Sequence, residues 1–258
     1  MRDPALASIY VSYFNETHRM VRDTMRRFVN EAVKPHIDAW EEAGGFPREV
    51  YVQAGNLGLL GIGHPTEFGG AGEADVFLKV AASEELMRSG SGGFVASLGS
   101  LDIGLPPIWR TGSRALKQRI VPQVLAGEKI IALAITEPSG GSDVANLKTR
   151  AVRDGDHYVV NGSKTFITSG ARADYYTVAV RTGEAGFGGV SLLLIEKGTP
   201  GFTVGRNLKK MGWWASDTAE LFFQDCRVPA ENLLGPENSG FFTIMANFQA
   251  ERLSLAVM

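Results

Sequence analysis

The side chains best suited to chemistry in this sequence lie in residues 133–142 and 164–169. The first stretch reads Leu133-Ala134-Ile135-Thr136-Glu137-Pro138-Ser139-Gly140-Gly141-Ser142 and begins as a short apolar strand ending in Thr136. Pro138 has no amide hydrogen, so the strand does not continue as a central one. Gly140 and Gly141 allow a sharp turn and close backbone approach to a ligand. Ser139, Ser142 and the freed amides can donate to phosphate oxygens, as a nest of N–H groups does. The second stretch, Lys164-Thr165-Phe166-Ile167-Thr168-Ser169, reads as a strand. Strand alternation predicts Phe166 and Thr168 on one face. A ring plane with a hydroxyl donor beside it suits an isoalloxazine. Taken singly, the first stretch also fits a surface turn and the second a half-buried edge strand.

Joined by an Asp154-Gly155-Asp156 hairpin, the two stretches resemble the flavin-binding β-domain of the acyl-CoA dehydrogenase family, with its T-E-P-x-x-G-S-D and K-x-W-I-T motifs. Phe166 replaces the family's Trp, a smaller ring that still covers the flavin face. Pro65-Thr66-Glu67-Phe68-Gly69-Gly70, with His64 ahead of it, resembles the family's P-E-E-Y-G-G loop. Residues 210–234 are similar to the long-chain and branched-chain side of the family, and the resemblance runs from about Glu16 onward. It implies FAD bound between sheet and helices, an acyl-CoA thioester as substrate and an electron-transfer flavoprotein as electron acceptor. By position, the flavin would be held by Leu133, Ile135, Thr136, Gly141, Ser142, Phe166, Ile167 and Thr168. Thr136 and Thr168 would hydrogen-bond its ring, and Ser142 would also approach substrate.

Dehydrogenating a thioester between its α and β carbons needs a carboxylate base in a dry site, where its pKa rises toward neutrality. It also needs donors on the developing enolate oxygen, and hydride leaves the β carbon for flavin N5. In the isovaleryl and long-chain branches the base sits in an E-R-L sequence on the helix after the β-domain. Asn247-Phe248-Gln249-Ala250-Glu251-Arg252-Leu253 matches that pattern. The resemblance therefore implies Glu251 as the base, with Gln249 and Arg252 toward the CoA portion. Without it, Glu251 and Arg252 read as solvated charges on an amphipathic helix.

The elements that must position these residues change character near Lys129. Before it the pattern is helical. Asn15 caps a helix to about Ala43, whose apolar stripe of Val21, Met25, Phe28, Val29, Ala32, Val33 and Ile37 recurs at helical spacing. Pro35 should kink or restart it. A shorter helix runs from Phe46-Pro47 to Asn56, a Gly-rich loop over 57–72, and a helix over 74–88 with Val76, Phe77, Val80, Ala81 and Leu86 on one side. Residues 90–104 read as one buried helix whose small residues admit another segment, and Ser113 caps a last helix to Ala126. After it, apolar alternation at 151–153, 157–160, 175–181, 191–195 and 218–223 is punctuated by turns, Asn161-Gly162 among them. The fold class expected is α+β: an all-α domain (1–128), an antiparallel β-barrel or sandwich (129–235) and the first helix of a C-terminal bundle (236–258).

Composition excludes several classes. A net charge of −2 gives no basic footprint for nucleic acid. The single Cys226 permits neither an intrachain disulfide nor a cysteine metal cluster and suits a small buried filler. None of the four histidines has a second ligand at metal spacing. No G-x-G-x-x-G opens a helix after a strand, and no apolar run reaches the ~20 residues of a membrane helix. The N-terminal stretch lacks a signal-peptide core, so a cytoplasmic bacterial protein is expected. Residues 253–258 stop mid-helix without a cap. In the family a further bundle of roughly 120 residues follows, building a tetramer core. A homo-oligomer, or a second chain supplying that bundle, is therefore expected, and the apolar face at 241–258 suggests that these residues alone are not a competent enzyme. A silent paralogue binding CoA esters, an acyl-CoA oxidase and a flavin monooxygenase are the alternatives on the same scaffold.

Overall fold

The computed structural model describes residues 13–72 and 75–257. The expectations at the N-terminal stretch, at the start of the 74–88 helix and at residue 258 lie outside them.

Helix α1 (Glu16–Phe28) starts at a capping box. Asn15 Oδ1 accepts from the His18 amide at 3.2 Å, and His18 Nδ1 accepts from the Asn15 amide at 3.0 Å. The chain passes through one π-helical stretch, Val29–Val33, breaks at Pro35 and restarts as α2 (Ile37–Ala43). Met25, Phe28, Val29, Val33 and Ile37 are buried across that break, so the stripe survives although the helix does not. α3 (Glu49–Asn56) follows, then α4 (Val76–Leu86), capped by Asp75. The buried face of α4 is Ala81, Ala82, Glu85 and Leu86, while Val76 is exposed. The predicted stripe is rotated because Glu85 goes inside, its carboxylate accepting from Arg26 Nε at 3.0 Å and Nη2 at 2.7 Å.

The single helix expected over 90–104 is two: α5 (Gly92–Leu98), capped by Ser91, and α6 (Leu101–Gly104). Gly99 ends the first, its amide donating to Val95 O at 2.9 Å. α7 (Pro106–Thr111) and α8 (Arg114–Leu125), capped by Ser113, complete the helical half.

Seven strands follow: β1 (Ile131–Ala134), β2 (Arg150–Asp154), β3 (His157–Thr168), β4 (Tyr175–Arg181), β5 (Val190–Glu196), β6 (Phe202–Asn207) and β7 (Thr218–Pro229). They form one sheet in the order β1-β4-β2-β3-β7-β6, with β5 also on β4. The sheet is mixed rather than antiparallel throughout, because β1 and β2 pair with β4 in parallel. Intervening chain carries each crossover, as parallel pairing requires. Asn161-Gly162 is not a turn: it lies inside β3 at a register slip against β7. Gly162, at φ 145, meets Thr149, where a Cβ would come within 2.7 Å of backbone. β6 is hard to read in the sequence because Gly205 and Arg206 interrupt its alternation; it survives as an edge strand on β7. Cys226 is free and buried in the sheet core.

Helix α9 (Gly240–Val257) crosses back toward the helical half. Asn247 fastens it there, donating from Nδ2 to Ile103 O at 2.8 Å. No helix among the described residues is long and apolar enough to cross a membrane.

Candidate active site

The loop after β1 is clamped to β3 by a buried ion pair. Thr165 N donates to Thr136 O at 2.9 Å. The Glu137 carboxylate accepts from Lys164 Nζ at 2.8 Å and from the Lys148 and Thr149 amides at 2.6 and 2.8 Å. Lys164 Nζ also donates to Ile135 O at 3.0 Å. Both side chains are enclosed, Glu137 at 5% and Lys164 at 0% exposure. Burial pushes the Lys164 ammonium down to about 8 against the pull of Glu137. Burial raises the Glu137 carboxyl, but the Lys164 charge and the hydrogen bonds from Lys164 and Thr149 outweigh it and leave the group below its usual range. Sequence reasoning misses this pair. The available signal is a charge in each of two stretches already suspected of meeting.

Beyond the pair, β3 slips register against β7 between Lys164 and Ile167. Phe166 sits in this bulge at φ 58 and is 68% exposed. Thr165, Ile167 and Ser169 are buried and Thr168 is half-buried, so burial alternates while the ladder does not. The regular strand expected here is thus replaced by a bulged one. Ile135 and Ile167 turn their side chains into the core, and their carbonyls accept from Lys164 Nζ and from the Gly170 amide at 3.0 Å each. Thr136 and Leu133 are half-buried; Gly141 and Ser142 are exposed. At Gly141 an added Cβ would meet Thr136 Cγ2 at 3.1 Å, so the loop folds closely over Thr136.

A cleft of about 170 Å³ opens between the helices and the end of β3. α4 contributes Lys79, Ser83 and Leu86, α5 Val95 and Ala96, and α6 Asp102 and Ile103. Thr168 and Trp213 line it from the sheet side, and Glu251 and Leu255 from α9. Glu251 is half-buried. Burial holds its carboxyl above the ordinary range, with Arg252 pulling the other way. The structure therefore brings Thr168 and Glu251 to one cavity. Ser142, Gln249 and Arg252 are exposed and outside its lining.

Among the described residues five non-glycines have positive φ, and three of them, Phe166, Ser169 and Trp213, are at this cleft or beside it in sequence. Such strain collects at functional sites. An exposed ring at Phe166, hydroxyls at Thr136 and Thr168, and a loop whose small residues leave its amides accessible fit a flat, hydrogen-bonding heteroaromatic group bearing phosphates.

A helical half set against a curled mixed sheet, with a carboxylate brought to the sheet end by the next helix, defines the class of scaffold. The chain belongs to the acyl-CoA dehydrogenase family. Residues 15–128 match the acyl-CoA dehydrogenase N-terminal domain and residues 132–226 its middle domain. It is 43% identical over 246 residues to the long-chain specific acyl-CoA dehydrogenase of Mus musculus, covering 94% of this chain and 57% of that one. A crystal structure of a probable acyl CoA dehydrogenase from Mycobacterium abscessus superposes with a TM-score of 0.91 at 53% identity, covering 94% of this chain and 65% of the other. A glutaryl-CoA dehydrogenase from Mycobacterium smegmatis, solved in complex with FADH2, superposes with a TM-score of 0.87 at 31% identity, covering 95% and 61%. The chain thus spans somewhat over half the length of such relatives.

Proposed function

We propose that this chain forms the flavin-binding and base-bearing part of an FAD-dependent acyl-CoA dehydrogenase. The observation that carries this reading is that Glu251 and Thr168 share one cleft, with the Glu251 carboxyl raised by burial. Bound FAD would supply the acceptor for hydride leaving the β carbon. Main-chain groups at Leu133, Ile135 and Ile167, the Thr136 and Thr168 hydroxyls, the amides at Gly141 and Ser142 and the Phe166 ring would hold it. Glu251 takes the proton from the α carbon. A carboxylate whose pKa is moved toward working pH is a stronger base than a solvated one. Leu86, Val95, Ile103 and Leu255 supply the apolar part of the lining around Glu251. Ser142, Gln249 and Arg252, all exposed, would meet the polar CoA portion outside the cleft. The electrons would pass to an electron-transfer flavoprotein, in a cytoplasmic homo-oligomer.

The test is Glu251→Gln, which keeps shape and removes the base. Flavin reduction by an acyl-CoA should fall about 10²–10⁴-fold, and deuterium exchange at the α carbon of a non-oxidisable thioester should stop. FAD binding, followed by flavin absorbance, should persist. Normal exchange in this variant would assign the base elsewhere.

A further inference from the structure

Trp213 has no role in the reading above, yet its placement is constrained from three sides. Its backbone is left-handed, at φ 58. Gly93 leaves room for it: a Cβ there would come within 2.7 Å of the Trp213 carbonyl carbon. Gly92 seats the indole, since a Cβ there would collide with its Nε1. Glu41 braces the loop, accepting from the Ala215 amide at 3.0 Å and from the Ser91 hydroxyl. Ser91 in turn caps α5 by accepting from the Phe94 amide at 2.9 Å. The loop bearing Trp213 and the start of α5 are therefore fixed by one carboxylate.

The seat lies on the helix face that floors the cleft. Gly92, Val95, Ala96 and Gly99 recur at helical spacing, so they share one side of α5. The last three line the cleft, together with Trp213, Thr168 and Glu251. Trp213, 48% exposed, thus stands at the N-terminal end of a floor of Val95, Ala96 and Gly99, in the cavity that holds Glu251. A large rigid ring there limits width, while the small floor residues leave length.

Resting on the acyl-CoA reading, we propose that Trp213 is a specificity-determining wall, admitting unbranched acyl thioesters beside Glu251 and excluding those branched at the β carbon. No other aromatic ring lines the cleft among the described residues.

The experiment is calorimetric titration of the full chain, with saturating FAD, against two unreactive thioethers, S-butyl-CoA and S-(3-methylbutyl)-CoA. They share a chain and differ by one methyl, a difference that hydrophobic sites discriminate by about tenfold or more. The wild type should prefer S-butyl-CoA by about that factor, and Trp213→Ala should abolish the preference. Gly92→Ala, whose Cβ would collide with the indole at Nε1 and crowd Cδ1 and Cε2, should move the ring and change the preference, and Trp213→Phe should retain part of it. Equal ratios in wild type and both alanine variants would overturn the proposal while leaving the thioester site intact. Failure of the wild type to bind either thioether would overturn the acyl-CoA reading and this inference together.

Discussion

Two glutamates at opposite ends of the site have opposite environments. Glu137 is enclosed with a cation and two amides, and its carboxyl lies below the usual range. Glu251 is half-buried in a cleft of mixed lining, its burial opposed only by the neighbouring Arg252, and its carboxyl lies above that range. The same side chain is thus a fastener in one place and, in the function proposed above, a proton acceptor in the other. What separates the roles is whether the fold supplies partners for the charge it buries. A carboxylate held by a cation and two amides is stabilised in its ionised form and is a weaker base. A poorly partnered one gains basicity and destabilises the fold in its ionised form.

The largest effect should come from removing the partner at the fastened end. Lys164→Met leaves the Glu137 charge buried against two amides alone and should destabilise by about 3–5 kcal/mol, read by chemical denaturation. Adding Glu137→Met should restore only part of this, since the Lys148 and Thr149 amides would lose their acceptor. A loss below about 1 kcal/mol for Lys164→Met would mean the pair is not what holds the loop.

The pH dependence of stability should separate the two carboxylates by sign. Glu137, depressed in the folded state, contributes stability that is present above its ordinary value of 4.5 and lost as pH falls through the lower folded pKa. Glu251, raised in the folded state, contributes stability present below 4.5 and lost as pH rises through its raised pKa. Denaturation midpoints from about pH 4 to pH 8 should therefore decline less toward neutral pH in Glu251→Gln and decline less on acidification in Glu137→Gln, once each is normalised to its own maximum. Identical profiles in both variants would erase the contrast. The smallest effect should come from Glu41→Gln, a third carboxylate with two donors. Exchanging one good acceptor oxygen for an amide there should cost about 1 kcal/mol by thermal denaturation.

Features governed by neighbours along the chain are legible in the sequence. The Asn15 and Ser113 caps, the break at Pro35 and the span of β4 all follow from local propensity and period. Features governed by distant pairing are not. Nothing near Ile131 announces that its strand will lie parallel to Tyr175, and Asn161-Gly162 has turn chemistry that the β3–β7 ladder overrides with a bulge. At the site, Glu251 and Thr168 are reached through motif resemblance, and the structure puts both on one cavity. The Glu137–Lys164 pair leaves only a charge in each of two suspected stretches and Trp213 leaves no signal, because each depends on what the rest of the chain brings against it.

The parallel pairing of β1 with β4 also sets an order of events during synthesis. β1 leaves the ribosome directly after the helical half, but its ladder partners run from Tyr175 to Val178. The loop at Thr136 waits likewise for Lys164 and Thr165. Non-local pairings form late, since closing the intervening loop precedes any gain from the contact. The helical domain can therefore be compact while the loop at Thr136 still hangs from its end without shape. A nascent chain stalled between Leu147 and Lys164 would carry intact helices and exposed apolar β1, the state in which a chaperone would find it.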